Sequence, residues 1–231
     1  MVYHETELFN LFFRSYNKKH MKFDILTIFP QILDSYFSES ILKRAQIKKL
    51  ISIKAHNLRD FTLDKHHKVD DTPYGGGPGM VFKADVIDRA VKKLKVKSSK
   101  LKVRTILFGL RGKKFDSKIA RRLSKYDQLI LICGRYEGVD ERVAEYIADE
   151  EISIGDFVLS GGELAAGVLV DAVSRFIPGV LGKFESLEEI KGSYQVYTKP
   201  ETVKISGKNR KVPDVLLSGN HRKIEEWRNE I

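Results

Sequence analysis

A continuous run of apolar residues, Leu129–Cys133, leads directly into Gly134 and restricts the folds that this chain can adopt. A run without polar alternation is typical of a strand buried on both faces, as in the centre of a parallel sheet. Two more apolar segments, Thr105–Phe108 and Ile152–Leu159, also lead into glycine-bearing loops. Because ligands of open α/β sheets bind beyond the carboxyl ends of the strands, three such loops predict one ligand site.

Apolar periodicity predicts helices that alternate with strands, which gives an α/β fold with a mostly parallel sheet. Strands are also predicted at 22–29, where Pro30 ends the run, and at Ile51–His56. The predicted helices are Ile32–Leu50, Asp85–Leu94, Asp116–Leu123 with Asp116 as its cap, Val139–Ala148, Leu164–Phe176 and Asn220–Ile231. We divide the chain into an amino-terminal extension (1–20), a main domain (21–182), a linker (183–200) and a short carboxyl-terminal domain (201–231).

The segment Ser153–Glu163 places the apolar residues Phe157–Leu159 between a Gly-Asp turn and a Ser-Gly-Gly turn. Glycines at both ends allow positive φ angles and let a ligand approach the backbone closely. The loop could then present N–H and C=O groups to a flat heterocycle. A plainer interpretation is a buried strand between two ordinary turns, and this segment alone does not separate the two.

The charge balance favours a polyanionic partner. Lysine and arginine number 41 against 31 aspartate and glutamate, so the 231 residues carry a formal net charge of +10. Nucleic acid is the commonest partner of such a chain, although lysines that only serve solubility are an alternative. Basic residues concentrate at Lys204–Lys211. The single cysteine, Cys133, excludes an internal disulfide and fits a reducing cytoplasm, and no apolar run approaches the roughly 18 residues of a membrane span.

A loop rich in charge and glycine spans residues 57–80. Its glycines do not form a P-loop, because no Gly-Lys-Ser/Thr follows them. Four potential metal ligands lie in it, namely His66, His67, Asp70 and Asp71, but their spacing matches no zinc pattern. We therefore predict no metal site formed by the chain and interpret the segment as a solvated or RNA-facing loop.

Six motifs, in a fixed order, relate the chain to a known family. They are Tyr74–Met80, Cys133–Gly138 followed by Asp140–Arg142, Ser153–Glu163, Asp171–Gly182, Tyr197–Glu201 and Leu216–His221. Together they span almost everything from Met21 to Arg228. On these motifs the chain resembles the bacterial TrmD family, the tRNA (guanine-N1)-methyltransferases of the SPOUT class.

The resemblance implies a SPOUT-type α/β fold with a deep trefoil knot in the carboxyl half of the catalytic domain, an exception to the rule that chains do not thread loops. A short helical carboxyl-terminal domain that binds tRNA would follow. The resemblance also implies that S-adenosylmethionine binds in a bent shape to the knot loops, and it leaves open a magnesium ion. The expected enzyme is an obligate homodimer with active sites at its interface, and its product is 1-methylguanosine immediately 3′ of the tRNA anticodon.

The resemblance further suggests roles for individual residues. Arg175 is expected to lie near the methyl donor and the target guanine. The expected cofactor-binding residues are Leu107, Gly109, Gly134, Tyr136, Glu137, Gly138, Ser153, Ile154, Gly155, Asp156, Phe157, Val158, Leu159, Gly161 and Gly162. The expected RNA-contacting residues, two of them from the basic run, are Asp70, Gly79, Lys208, Arg210, Asn220 and His221.

Two departures from the family pattern bear on the chemistry. The family places an acidic residue before Ser-Phe, after the knot, as the base that removes the proton from guanine nitrogen 1. The corresponding segment here, 185–194, is shorter and lacks that pattern, so Glu188 and Glu189 are the candidates, with plain linker carboxylates as the alternative. The family's carboxyl domain usually continues well past the Trp-Arg pair, which predicts that RNA binding uses either a smaller surface or another part of the protein.

Two other functions stay open from the sequence. One is a SPOUT methyltransferase that acts on another RNA position or base, and the other is a non-catalytic RNA-binding relative. The glycine-rich loop and the Arg135–Gly138 run favour specificity like that of the TrmD family. The intact cofactor loops argue against loss of catalysis.

Overall fold

The structure of the protein is a computed structural model. It describes residues 20–96, 98, 100–182 and 194–229. The chain divides into two compact units, residues 1–184 and 185–231. Within the described residues, no helix combines the length and apolar character that a membrane span requires.

Five parallel strands form the central sheet of the first unit. The strands of the described residues are β1 (Met21–Thr27), β2 (Ile51–Asn57), β3 (Asp70–Asp71), β4 (Val81–Phe82), β5 (Val103–Lys114), β6 (Gln128–Ile132), β7 (Glu150–Ser153), β8 (Thr202–Ile205) and β9 (Lys208–Lys211). The sheet order is β2-β1-β6-β5-β7. All five residues of β6 are buried, which is the reason why its sequence shows no polar alternation. The predicted α/β class with a parallel sheet is therefore confirmed.

The α-helices within the described ranges are between four and thirteen residues long. They are α1 (Asp34–Phe37), α2 (Ser40–Ile47), α3 (Ala84–Leu94), α4 (Ser117–Leu123), α5 (Arg142–Tyr146), α6 (Glu163–Arg175), α7 (Asp214–Leu217) and α8 (His221–Asn229), with a 3₁₀ turn at Leu58–Phe61. The cap prediction for α4 is confirmed, because the Asp116 carboxylate accepts a hydrogen bond from the Ile119 N–H at 2.7 Å.

Two helix predictions are wrong in their extent. The single helix expected at Ile32–Leu50 is broken into α1 and α2, because Glu39 is extended (φ −126°, ψ 164°) and Ser40, the first residue of α2, takes a positive φ of 51°. The helix expected at Val139–Ala148 shrinks to α5. The first residues of the expected helix pair with β4 instead, since Val139 forms a β-bridge with Phe82 and the Asp140 N–H donates to the Phe82 carbonyl at 3.0 Å.

Two strand predictions also change. The strand at Thr105–Phe108 does not stop at Gly109 but continues to Lys114, with a shift of register against β7 after Phe108. The run Ile152–Leu159 is a strand only to Ser153, and Phe157 and Val158 are 52% and 81% exposed. The interpretation of this apolar run as a buried strand is therefore wrong.

A buried charge connects three strands of the sheet. Asp24 on β1 is fully buried, and its carboxylate oxygens lie 2.7 Å from His56 Nε2, 2.7 Å from Gln128 Nε2 and 3.0 Å from Lys22 Nζ. Burial alone would raise the pKa of Asp24, but hydrogen bonds from His56, Gln128 and Lys22 outweigh it and hold that pKa below its ordinary value. Asp24 is therefore a charged structural link between β1, β2 and β6.

The second unit is small, and all residues of its two strands are exposed. Strands β8 and β9 form an antiparallel hairpin whose turn places Ser206 and Gly207 at φ angles of 52° and 76°. Two short helices, α7 and α8, follow the hairpin. Tyr197 packs obliquely on Trp227, with ring centroids 6.4 Å apart. The described part of this unit thus contains a β-hairpin besides the expected helical segments.

Candidate active site

A cavity of about 550 Å³ opens where β6 and β7 end and where β5 changes register. Parallel strands bring their carboxyl ends to one edge of the sheet, which is why loops that are distant in sequence meet there. The lining includes fourteen of the fifteen residues that were predicted to bind a cofactor, namely Leu107, Gly109, Gly134, Tyr136, Glu137, Gly138, Ser153, Ile154, Gly155, Phe157, Val158, Leu159, Gly161 and Gly162.

Asp156 is the predicted cofactor residue that does not line the cavity. Its side chain is 81% exposed and forms an ion pair with Lys114 Nζ at the end of β5. An exposed pair of this kind stabilises a fold only slightly, because water screens it. We therefore assign Asp156 to the outer side of its loop.

The loop after β6 is fixed by the glycine-rich segment that precedes it in the chain. The Glu137 N–H donates to the Met80 carbonyl at 3.1 Å, and the Tyr136 ring meets the Phe82 ring edge-on at a centroid distance of 5.7 Å. A Cβ at Gly79 would lie 2.5 Å from the Glu137 side chain. Glycine is therefore required at position 79 for this close approach, and two of the sequence motifs form one contact.

The loop between β7 and α6 forms the opposite wall. The Ser153 hydroxyl accepts a hydrogen bond from the Gly155 N–H at 3.3 Å and lies 3.1 Å from the Gly155 carbonyl oxygen. A Cβ at Gly155 would lie 2.2 Å from the Phe157 ring, so only glycine lets that ring fold back over the backbone. The loop consequently keeps Phe157 and Val158 at the cavity rather than in the protein core.

The two walls are joined directly by their backbones. The Gly162 N–H donates to the Gly134 carbonyl at 2.9 Å, and Arg135 pairs with Gly161 in an isolated antiparallel bridge. Cys133 lies beneath this junction and is 1% exposed. Burial, together with the nearby negative charge of Glu163, raises the pKa of the Cys133 thiol well above its ordinary value. The thiol is therefore protonated and is not a nucleophile of this site.

Apart from Glu137, sequence reasoning did not assign the charged side chains of the cavity lining to the cofactor site. Arg111, Glu141 and Glu151 all line it, and Arg111 Nη2 donates to Glu141 Oε2 at 2.5 Å. A Cβ at Gly109 would lie 1.9 Å from Glu151 Oε1, so this carboxylate rests on the glycine backbone. Arg111 and Glu141 stand inside glycine-bearing or motif segments and could have been flagged, whereas Glu151 belongs to a strand and gave no signal.

Arg175, the one predicted catalytic residue within the described part of the chain, does not line this cavity. Arg175 is the last residue of α6, and Ala165 near the start of α6 lines the cavity. At a rise of about 1.5 Å per residue, the two positions are about 15 Å apart along the helix axis. The other two candidates, Glu188 and Glu189, lie outside the described residues.

The predicted RNA-contacting residues fall in both units. Asp70 on β3 and Gly79 belong to the first unit. In the second unit, Lys208 and Arg210 lie opposite Ile205 and Val203 in the hairpin, on one exposed face. Asn220 Oδ1 accepts from the Lys223 N–H at 3.2 Å and caps α8, which begins at the exposed His221.

The described residues contain no group of three or more His, Cys, Asp or Glu side chains arranged to hold a metal ion. His67 Nδ1, one of the four potential ligands in the 57–80 loop, instead lies 3.0 Å from the Thr62 hydroxyl. A hard cation such as Mg²⁺ needs several oxygen ligands, and the carboxylates of the described residues do not form such a group.

Comparison with known proteins identifies the family. The family model described as "tRNA (Guanine-1)-methyltransferase TrmD" matches residues 21–231.

Three relatives carry the name tRNA (guanine-N(1)-)-methyltransferase. The protein from Geotalea uraniireducens is 53% identical over 213 residues, which are 90% of this chain and 84% of the relative. The one from Carboxydothermus hydrogenoformans is 50% identical over 90% of this chain and 81% of the relative. The one from Geobacter sulfurreducens is 48% identical over 91% and 85%. With a matching family model and close relatives that extend across the cavity loops, the chain belongs to the TrmD family of tRNA (guanine-1)-methyltransferases.

Proposed function

We propose that the protein transfers a methyl group from S-adenosylmethionine to nitrogen 1 of the guanosine immediately 3′ of the tRNA anticodon. The observation that carries the proposal is the meeting of three glycine-bearing loops around one cavity, in a chain of this family. These loops contain most of the residues that family membership leads us to expect around the donor. The net charge of +10 fits a tRNA substrate, because phosphate contacts dominate nucleic-acid affinity.

The cavity suits the methyl donor in size and chemistry. Its volume, about 550 Å³, is in the range of small-molecule sites. The lining includes backbone of the 154–159 loop, whose N–H and C=O groups can hold adenine and ribose, and Gly134 places no side chain in that space. When bound, S-adenosylmethionine supplies an electrophilic methyl group on a positively charged sulfur. The lining holds three carboxylates, Glu137, Glu141 and Glu151, against two guanidinium groups, Arg111 and Arg135, and this small excess of negative charge suits a cation.

The position of Arg175 supports a homodimer. Arg175 is about 15 Å along α6 from Ala165, and in the proposed dimer the Arg175 of a second copy of the chain approaches the donor site instead. An apolar surface that such a copy could cover lies beside α6. Phe29, Ile32, Tyr36, Leu164 and Val168 are each 47–58% exposed. A group of exposed apolar side chains that lie together often marks a surface that contacts another protein.

The chemistry requires removal of the proton from guanine nitrogen 1 before methyl transfer. We propose Glu188 or Glu189 as the base, because a carboxylate whose pKa is raised by partial desolvation can accept that proton. Arg175 from a second copy would stabilise the negative charge that develops on the guanine oxygen. A magnesium ion, if the reaction uses one, would need ligands from the RNA as well as the protein.

The second unit supplies the proposed tRNA surface. We propose that residues 201–231 form a short tRNA-binding domain after a linker of residues 183–200. One face of the hairpin combines the cations Lys208 and Arg210 with the apolar side chains of Val203 and Ile205. A two-stranded ribbon of this composition can contact phosphates and unstacked bases together. As a tRNA-modifying enzyme, the protein would act in the cytoplasm.

We also propose that the first unit carries the deep trefoil knot of the SPOUT class. The support is the contact between the 134–138 and 160–162 loops, which lie on either side of β7 in the chain and are joined by the Gly162–Gly134 hydrogen bond. A bent donor would then occupy the space between these loops.

The decisive experiment is methyl transfer from labelled S-adenosylmethionine to tRNA transcripts. A transcript with guanosine 3′ of the anticodon should be methylated at nitrogen 1, and a matched transcript with adenosine there should not. Equal labelling of both transcripts would point to a different RNA position. Donor binding without labelling of either transcript would point to a non-catalytic relative.

A further inference from the structure

One buried carboxylate lies directly behind the wall of the cavity. Glu163 is 2% exposed, although it is a charged residue in the first turn of α6. Its Oε1 accepts a hydrogen bond from the Thr27 hydroxyl at 2.6 Å, and Arg135 Nε lies 3.1 and 3.2 Å from its two oxygens. A charge this deeply buried requires such partners, because desolvation without them is very unfavourable.

These partners come from three different elements. Thr27 ends β1, Arg135 belongs to the loop after β6, and Glu163 begins α6 immediately after the third loop. A Cβ at Gly161 would lie 2.5 Å from Glu163 Oε2 and 2.7 Å from Arg135 Nε. The ion pair therefore occupies the volume that any other residue at position 161 would need, and it leaves both walls little freedom to move.

Arg135 extends the same network toward the surface. Its guanidinium group stacks over the Phe29 ring at 4.5 Å, and the Phe29 N–H donates to the Thr27 hydroxyl at 2.9 Å. Phe29 is 47% exposed and belongs to the apolar surface beside α6. The carboxylate of Glu163 thus orients both a residue that lines the cavity and a residue of the proposed subunit contact.

From this geometry we propose that Glu163, supported by the Thr27 hydroxyl, is a positioning residue that sets the distance between the 134–138 and 160–162 walls of the donor cavity. The inference rests on the proposed donor site. It assigns Glu163 no contact with the donor, because Arg135, Gly161 and Gly162 line the cavity and Glu163 lies behind them.

The test is calorimetric binding of S-adenosylmethionine to the full chain without RNA. Glu163→Gln keeps the shape and removes the charge that holds Arg135, so the dissociation constant should rise about tenfold or more. Thr27→Val should raise it severalfold, and Thr27→Ser should restore the wild-type value because the hydroxyl returns. The double variant Thr27→Val/Glu163→Gln should bind no worse than Glu163→Gln alone, because the hydroxyl acts through the carboxylate.

Glu150→Gln is the matched control. Glu150 is a partly buried carboxylate that, like Glu163, holds arginine: it lies 2.9 Å from Arg104 Nε and 2.6 Å from Arg122 Nη2, and neither of these arginines lines the cavity. This variant should bind the donor like the wild type. Affinity for tRNA in the absence of donor should be unchanged in the Glu163 and Thr27 variants, which separates positioning of the cavity from general loss of structure.

Several outcomes would overturn the inference. Unchanged donor affinity in folded Glu163→Gln is one, and an equal loss in Glu150→Gln is another. If Glu163→Gln does not fold, equal affinities of Thr27→Val and Thr27→Ser decide against it. A wild-type protein that shows no donor binding would instead refute the proposed function, so the two failures are distinguishable.

Discussion

Gly134→Val tests whether the cavity is the donor site. Gly134 lines the cavity, and a Cβ at this position would lie 3.2 Å from Val139 Cγ1. That distance is shorter than an ordinary carbon–carbon contact, so Val139 or the added side chain must shift. Gly134 does not have a positive φ, and valine is therefore compatible with the backbone. The effect of the substitution should come from lost space in the cavity wall.

The expected magnitude follows from the cost of overpacking. Extra methyl groups in a well-packed site typically cost about 1–3 kcal/mol. If this cost falls on the cavity wall, the dissociation constant of S-adenosylmethionine should rise by roughly 5- to 150-fold. Isothermal titration calorimetry measures this change. Urea unfolding of the same variant would show how much of the strain appears instead as a lower free energy of unfolding.

Gly182→Val is the matched control, because a Cβ there would meet no atom of the described residues within 4 Å and the φ angle is not positive. It should leave donor affinity unchanged. The double variant Gly134→Val/Val139→Ala should recover part of the lost affinity, since alanine removes the Val139 methyl group that the new side chain meets. Unchanged affinity of Gly134→Val would refute the reasoning and place the donor elsewhere.

Four further predictions follow from the same features. The free energy of unfolding should decrease as the pH falls below about 4, because the pKa of Asp24 is lowered in the folded protein and its charged form is lost there; Asp24→Asn should flatten this part of a pH series of urea unfolding. Affinity for tRNA, measured by filter binding, should fall steeply as the salt concentration rises, because phosphate contacts release counterions. The double variant Lys208→Glu/Arg210→Glu should weaken tRNA binding and leave donor binding unchanged. One of Glu188→Gln and Glu189→Gln should slow single-turnover methyl transfer by about 10²-fold with donor affinity retained; wild-type rates in both, and in the double variant, would exclude them as the base. Light scattering at micromolar concentration should give the mass of a dimer, and a monomer mass would contradict the shared site.

The parts of the fold that local signals determine could be predicted from the sequence. The apolar run of β6 indicated a central strand because burial on both faces leaves no place for polar residues. Asp116 indicated the start of α4 because a cap needs only the N–H groups of the next turn. The place of the cavity was also predictable, because glycines at the carboxyl ends of strands mark loops where a ligand can reach the backbone, whereas the individual lining residues were expected from the resemblance to the TrmD family.

The parts that depend on distant contacts could not be predicted. Val139 looked helical by its spacing, but its backbone pairs with Phe82, which lies more than fifty residues earlier in the chain. Phe157 and Val158 looked like core residues by their hydrophobicity, yet they project at the cavity. Arg111 forms an ion pair with Glu141 because β5 continues past Gly109. No local sequence pattern predicted that β5 would extend beyond this glycine.

The Ser-Gly-Gly-Glu sequence at 160–163 shows how one short motif can encode a contact between distant segments. Glu163 must be buried to reach Thr27 and Arg135, and its carboxylate then fills the space beside Gly161. At the next position, a Cβ on Gly162 would lie 2.8 Å from Cys133 Cα. Only glycine therefore fits where the chain crosses the residue that follows β6. The two glycines are therefore consequences of the buried carboxylate and of the crossing, and not merely of a flexible turn. It follows that replacing either glycine should disturb the cavity through the same wall that Glu163 positions.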